Sequence, residues 1–253
     1  MIQIKTITLH EIHLDLVEPF QISSGTTTSR RIMVLKFTDI EGREAWSECV
    51  TGERPIYSPE TIDTAWTMIT EFFADVILNK SFNHPSEIHD ALIQKYKGHA
   101  MAKAALEMGA WGLYSLVKEK PLAELLGGVQ KEVRTGISIG IQDTPDILLE
   151  KVKQKLDEGY HKIKIKIKPG FDVSYVEKLR SSISDPFELM VDANNAYSLG
   201  DIQTLKTLDQ FNLLMIEQPL AWDDVYQHHL VQKELQTPVC LEDRKSTRLN
   251  SSH

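Results

Sequence analysis

The segment KIKIKIK, Lys162 to Lys168, alternates lysine with isoleucine. Successive side chains of a β-strand point to opposite faces, so Lys162, Lys164, Lys166 and Lys168 share one face and Ile163, Ile165 and Ile167 the other. In an antiparallel sheet with a wet face such lysines need no partner. In a parallel α/β sheet both faces are normally covered, and a lysine row must then meet something specific. Inside a barrel the isoleucines face the helices and the lysines the lumen. Lys164 and Lys166 then stand at the C-terminal mouth, where barrel active sites form, and Lys162 at the solvated lower rim. Further on, Asp192 ends ELMVD, Glu217 ends LLMIE and Glu242 ends PVCLE, at intervals of 25 residues. A lone acid after a strand also serves as a helix N-cap. Three on consecutive parallel strands converge on one rim, where mutual repulsion drives one to take up a proton unless a cation is shared. All-oxygen ligation suits Mg²⁺ better than zinc, which prefers nitrogen and sulfur. A lysine beside a divalent cation and a second ammonium is pushed toward its neutral form and can act as a base. The metal can meanwhile hold a substrate carboxylate and stabilise the charge that builds when the α-proton leaves. The chemistry is proton abstraction α to a carboxylate.

Those side chains need a frame, and the pattern supplies one. IQIKTITLHEIHLDL alternates apolar and polar residues, and RIMVLKFTD and GREAWSECV flank the turn residues Asp39 to Gly42, which predicts a small antiparallel sheet. Helical stretches follow near Pro59–Ala74, Pro85–Tyr96 and His99–Val117; the last is rich in Ala and Gly, so neighbouring backbones can approach it closely. From Val133 the pattern becomes strand then helix, repeated: strands Val133–Ile141, Lys162–Lys168, Glu188–Asp192, Leu213–Glu217 and Pro238–Glu242, with helices Asp146–Asp157, Val173–Ser181, Asp201–Gln210 and Asp223–Leu235 between them. Thr144 and Pro145 form an N-cap and first-turn pair, and Gly159 stops that helix. Such repetition implies parallel strands with right-handed crossovers. A closed barrel takes eight strands and about 250 residues, so the five strands here make an unfinished one.

Composition narrows the function. The formal net charge of −8 argues against a nucleic-acid or anionic-membrane partner, since either needs a cationic face. An apolar fraction of 42% is too rich in core residues for a disordered chain. No run approaches bilayer length and MIQIKTITLH lacks a secretory pattern, which predicts a cytoplasmic protein. Cys49 and Cys240 lie in strand-like apolar runs without a CxxC partner and read as buried small hydrophobes. His161, His228 and His229 read as surface residues, and Trp46, Trp111 and Trp222 as packing residues. No GxGxxG, P-loop or GxSxG motif is present.

From Met1 to about Asp243 the chain resembles the enolase superfamily and, within it, the group of o-succinylbenzoate synthases and N-acylamino acid racemases. The resemblance is carried by PLAELLGG at 121–128, GISIGI at 136–141, KIKIKPG at 164–170, VDANNAY at 191–197, IEQPL at 216–220 and TPVCLED at 237–243. It implies an α/β protein: an N-terminal α+β capping domain over residues 1–125, then an incomplete modified (β/α) TIM-type barrel over 126–243. It implies Lys166 as general base and then acid, with Lys164 beside it tuning its charge, and Mg²⁺ held by Asp192, Glu217 and Glu242. Asn194 supports the metal cluster, and Ser138 and Gly140 lie by the succinyl end of the substrate. The cap contributes the loop Phe20–Gly25, with Phe20 and Ser23, and the stretch Arg54–Tyr57, with Tyr57, which close over a small-molecule carboxylate substrate. The resemblance also allows a homo-oligomer, although no helix face selects a symmetry.

Two departures from the group's pattern stand out. Its third ligand is usually Asp followed by Glu, whereas here Glu242 precedes Asp243, and either can ligate. Its further lysine lies on a sixth barrel strand, past the end of this chain. RKSTRLNSSH, residues 244–253, stands where the next amphipathic helix should begin and resembles translated adapter sequence, so it is expected to be a non-native tail. The activity expected from the resemblance is Mg²⁺-dependent syn-dehydration to o-succinylbenzoate in menaquinone synthesis. Racemisation of N-succinylamino acids in the same pocket is the alternative, and an inactive truncated fragment is the alternative of another class.

Overall fold

The computed structural model describes residues 1–56, 58–221 and 223–241. The expectations for Tyr57, Trp222, Glu242, Asp243 and the tail 244–253 lie outside those residues. The chain divides into two compact units. One comprises Met1–Val17 and Ser29–Glu132, the other Glu18–Thr28 and the residues from Val133 on.

The alternating N-terminal sequence forms β1 (Ile2–Ile22), β2 (Gly25–Asp39) and β3 (Glu44–Cys49), joined by a short β4 (Ser81–Phe82) in the order β3-β2-β1-β4; the first unit holds all of this sheet but residues 18–28. β2 and β3 pair antiparallel from Met33↔Cys49 to Thr38↔Glu44. The turn between them is tied by Asp39, whose buried Oδ1 accepts from the N–H groups of Glu41 and Arg43 at 2.9 Å. Gly42 follows at φ +84°, a conformation open to glycine. Met33, Leu35 and Phe37 of β2 are fully buried and belong to one apolar core with Ala105, Leu106, Ala110 and Leu113 of the helix Ala100–Lys118. The expected close approach along that helix occurs at Gly109, where a Cβ would lie 2.0 Å from the Phe37 ring. The first helical stretch runs from Ile62 to Ile77 with a π-helical turn, Met68–Phe73, in its middle.

The second unit holds a parallel sheet in sequence order: β5 (Ile137–Ile139), β6 (Lys162–Lys166), β7 (Glu188–Asp192), β8 (Ile216–Glu217) and β9 (Val239–Cys240). Helices Pro145–Asp157, Val173–Ser182, Ile202–Thr207 and Val225–Glu234 alternate with the strands. Thr144 caps the first of them by accepting from Ile147 N–H at 3.3 Å, and Gly159 at φ +95° follows its end. One face of the sheet, with Ile139, Ile163, Ile165, Leu189, Val191 and Ile216, packs on Leu148, Val152, Val176, Leu179, Leu205 and Val231 of these helices. That contact removes these apolar side chains from water and fixes the sheet against its helices.

Several strands are shorter than their apolar runs. The expected strand Val133–Ile141 reduces to β5, and β8 begins only at Ile216, although Leu213 is buried and Leu214 N–H bonds Leu189 O at 2.7 Å. β6 ends at Lys166: the chain turns at Gly170, φ +82°, with Phe171 N–H bonded to Lys168 O at 2.8 Å. Lys168 therefore leaves the lysine row and sits 4.6 Å from the Phe171 ring centroid. The five strands form an open sheet among the described residues. No helix there is long and apolar enough to cross a membrane.

Candidate active site

The parallel register decides which side chains meet. Lys164 pairs with Ser138 on one side and Met190 on the other, Lys166 with Asp192, Asp192 with Glu217, and Glu217 with Cys240. Neighbouring residues in register project to the same face. The face opposite the helices therefore carries Ser138, Lys164, Lys166, Asp192, Glu217 and Cys240. Lys162 pairs with Glu188 at the other end of the strands, as expected for the lower rim.

Lys164 Nζ donates to Glu217 Oε2 at 2.9 Å and Oε1 at 3.2 Å, and lies 3.4 Å from Asp192 Oδ2. Lys166 Nζ donates to Asp192 Oδ2. These are interior pairs: Asp192 is wholly buried, and the Lys166 and Glu217 side chains are 9% and 7% exposed. Two carboxylates drawn this far from water need compensating cations, because an unpaired buried charge costs several kcal/mol. The lysine row is thus the counter-charge of an acidic strand end.

Beyond the strand ends the backbone is bent to hold these groups. Asn194 and Asn195 adopt φ +42° and +66°, and Gln218 φ +43°. Asparagine tolerates this left-handed region and glutamine does so at a cost. Asn194 N–H donates to Asp192 Oδ1 at 3.0 Å, Asn195 N–H to Gln218 O at 2.9 Å, and Gln218 N–H to Cys240 O at 2.8 Å. Ser23 Oγ donates to Asn194 O at 2.8 Å, and Ile141 N–H to Gln21 O at 2.9 Å, so the tip between β1 and β2 is bonded to the ends of β7 and β5. Gly140 permits this approach: a Cβ there would stand 3.0 Å from Gln21 O and 3.5 Å from the Phe20 ring. Asp172 and Tyr197 add a buried link between the loops after β6 and β7. Tyr197 OH donates to Asp172 Oδ2 at 3.0 Å, and burial together with that carboxylate pushes the phenol well above its usual range.

The expected site residues therefore fall into three sets. Lys164, Lys166, Asp192 and Glu217 come together directly, and Asn194, Ser138, Gly140, Phe20 and Ser23 lie in the same unit around them. Glu242 and Tyr57 lie outside the described residues. Three expectations need correction. His228 is buried rather than on the surface, because its ring accepts from Leu220 N–H at 3.1 Å. Cys240 is only partly buried, because it faces the lysine and carboxylate side of the sheet. Trp46 is 55% exposed and sits at the surface, against His10 and Lys36. Sequence reasoning also missed Gln218, Asn195 and the Asp172–Tyr197 pair. Adjacent asparagines after a strand were the available signal for the left-handed turn.

Whether these residues suit a divalent cation is decided by their donors. Asp192 and Glu217 offer hard oxygens on adjacent strands, and the side-chain oxygens of Asn194 and Asn195 are buried with no hydrogen-bond partner among the described residues. That donor set fits Mg²⁺. No group of three or more His, Cys, Asp or Glu side chains able to hold a metal occurs among the described residues, which exclude Glu242.

An antiparallel sheet followed by a βα series, with lysines and acids on the face of the parallel strands away from the helices, defines a two-part α/β architecture with a charged strand-end site. Two family models match it: the mandelate racemase / muconate lactonizing enzyme N-terminal domain over residues 3–127, and the enolase C-terminal domain-like family over 148–250. The chain belongs to the enolase superfamily. It is 42% identical to the o-succinylbenzoate synthase of Bacillus subtilis (strain 168), over 96% of this chain and 65% of that protein. It is 41% identical to an N-succinylamino acid racemase of Amycolatopsis, over 93% of this chain and 63% of that protein. A crystal structure of an enolase superfamily member from Listeria innocua superposes with a TM-score of 0.90 at 33% identity, over 96% of this chain and 65% of that one. The chain thus spans about two thirds of the length of these relatives.

Proposed function

We propose that this chain carries the base and metal-binding part of an o-succinylbenzoate synthase, a hydro-lyase of menaquinone synthesis acting in the cytoplasm. One observation carries the proposal: two lysines of one strand meet two buried carboxylates on the next two strands, all on the sheet face away from the helices. Asp192 and Glu217, together with Glu242, would hold Mg²⁺. Bound there, the cation would replace the lysine ammonium groups on the carboxylates and stabilise negative charge developing on a substrate carboxylate. The side chain of Lys166, parted from Asp192, would remove the proton α to that carboxylate. The bond to the hydroxyl on the neighbouring carbon then breaks as the double bond forms, and Lys166 returns the proton to the leaving oxygen, giving water. Lys164 keeps positive charge beside it, which favours the neutral amine.

In this reading residues 1–125 form the cap and 126–243 the barrel portion. Ser138, Gly140 and Asn194 contact a small-molecule carboxylate, and Phe20, Ser23 and Tyr57 help close the site. The close similarity to N-succinylamino acid racemases supports a second reaction at the same base, inversion at the α-carbon. Dehydration assays of the purified chain, with Lys166→Ala as control, test the first reading. Loss of turnover in the variant with retained Mg²⁺ binding is expected; an undiminished rate would remove Lys166 from the mechanism. Exchange of the α-proton for deuterium in both enantiomers of an N-succinylamino acid, without dehydration, would favour racemisation.

A further inference from the structure

His228 lies on the helix Val225–Glu234, is 3% exposed, and takes no part in the dehydration described above. Its ring is instead bonded to the turn that follows Glu217. Leu220 N–H donates to Nε2 over 3.1 Å, and Nδ1 bonds the carbonyl of Asp224 one helical turn earlier. The Gln218 side-chain amide lies 3.4 Å from the same Nε2 while donating to Leu220 O at 3.1 Å. A peptide N–H only donates and a peptide carbonyl only accepts, so the two backbone contacts locate the proton on Nδ1 and leave Nε2 bare. The other tautomer would set N–H against N–H at Leu220 and lone pair against lone pair at Asp224.

What the ring holds is the strained part of the rim. Gln218 stands next to Glu217 in a left-handed conformation that a non-glycine residue keeps only when its surroundings enforce it. Its backbone joins two neighbours, donating to Cys240 O at 2.8 Å and accepting from Asn195 N–H at 2.9 Å. We propose that His228 is a positioning residue: as its neutral Nδ1–H tautomer it clamps residues 218–220 and so fixes the direction in which the carboxylate of Glu217 leaves the strand. The inference rests on reading Glu217 as a cation ligand, and its test separates the two.

In the ¹⁵N-labelled chain, the ring nitrogens of His228 should show one protonated and one bare nitrogen, with the proton on Nδ1, and the Leu220 amide should be protected from exchange. His228→Leu keeps a buried side chain of similar bulk but removes the acceptor. It should speed Leu220 exchange and weaken Mn²⁺ binding, followed by electron paramagnetic resonance, by about 10-fold or more, the range seen when groups behind a metal ligand are lost. His228→Gln, whose Oε1 can accept the same N–H, should restore most of that affinity. A ring protonated on Nε2, or Mn²⁺ affinity unchanged in a folded His228→Leu variant, would overturn the inference; so would equal impairment in both variants, which marks a packing role only. If His228→Leu does not fold, the ring tautomer and His228→Gln decide. Should the unaltered chain bind no Mn²⁺, the proposed function falls and the tautomer and exchange results alone judge the clamp. Mn²⁺ binding without turnover leaves the clamp standing and removes the proposed reaction.

Discussion

Strand β2 of the first unit and strand β6 of the second share one sequence pattern and put it to different uses. In β2, Lys36 stands between the buried Leu35 and Phe37 and pairs with Glu44 at 2.7 Å, the two side chains 30% and 49% exposed. In β6, Lys166 stands between the buried Ile165 and Ile167, and its partner Asp192 has no exposed surface at all. Alternation settles which side chains share a face. Whether that face meets water is settled by the sheet around it. Antiparallel β2 has a core on one side and solvent on the other, whereas β6 is flanked on both sides by parallel strands, with an acid in register beside its lysine. The same pair chemistry is therefore peripheral in one unit and structural in the other.

The largest test of that contrast is Lys166→Ala. Among the described residues it leaves the buried Asp192 with Lys164 as its remaining cation, at 3.4 Å, and breaking a buried pair from one side costs about 3–5 kcal/mol. Urea denaturation should show a loss of that order in the second unit. Added Mg²⁺ should recover more stability in Lys166→Ala than in the parent chain, because a ligand that binds only the folded state stabilises it. A variant as stable as the parent, or one indifferent to Mg²⁺, would break the contrast.

Next comes Gly109→Ala in the first unit. The new methyl would stand 2.0 Å from Cε2 of Phe37, a fully buried ring, so helix and sheet must part. Overpacking of this kind costs about 1–3 kcal/mol, and contact with a ring buried this deeply should bring it to the upper end. The first unit should lose that stability in urea. The first unit is thus more sensitive to shape than to charge, the reverse of the second.

These two residues also show how much the sequence could tell. The Ala and Gly content of the helix Ala100–Lys118 announced a close approach, and Phe37 is the group approached. The lysine row and the 25-residue spacing of the acids located Lys164, Lys166, Asp192 and Glu217, because period-2 alternation and the βα repeat are both written locally in the chain. His228, Gln218 and the Asp172–Tyr197 pair were not legible, since each depends on a tertiary contact between elements: His228 meets a loop from the preceding strand, and Asp172 meets a tyrosine 25 residues on. Strand ends misled for a related reason. A buried apolar run such as 213–217 reads as one full strand, although the regular strand is only Ile216–Glu217, preceded by separate backbone bonds from Leu214 N–H to Leu189 O and from Val191 N–H to Met215 O.

A smaller effect is expected at Asp209, a carboxylate held by peptide N–H groups. Its Oδ2 accepts from Gln236 N–H at 3.0 Å and its Oδ1 from Thr237 N–H at 2.9 Å, just before β9. Partial burial pushes this carboxyl up, but the bonds from residues 236 and 237 outweigh it and hold it below the usual aspartate range. A depressed folded value means the stabilisation is fully present above the unfolded value, near pH 4, and is lost as pH falls through the folded one. Asp209→Asn turns one acceptor into a donor facing a donor and should cost about 1–3 kcal/mol at neutral pH. The gap from the parent should narrow below about pH 4. A gap that stays constant on acidification would deny the carboxylate its part.

The smallest effect belongs to Lys36→Ala, the counterpart of the first substitution. Its partner Glu44 keeps half its surface in water, so removing the lysine exposes a carboxylate that solvent already reaches. Such pairs contribute about 0.2–1 kcal/mol, and the contact of Nζ with the Trp46 ring, 5.7 Å from its centroid, adds little at an exposed site. The loss should stay under about 1 kcal/mol and shrink further in high salt, because exposed charges are screened. Lys166→Ala should hold its larger penalty at the same salt, since a buried pair is screened far less. Two lysines each set between apolar neighbours in sequence would then differ several-fold in cost, and only the exposed one would respond strongly to salt. Equal costs, or equal salt responses, would mean that burial of Asp192 is not what makes the lysine of β6 necessary.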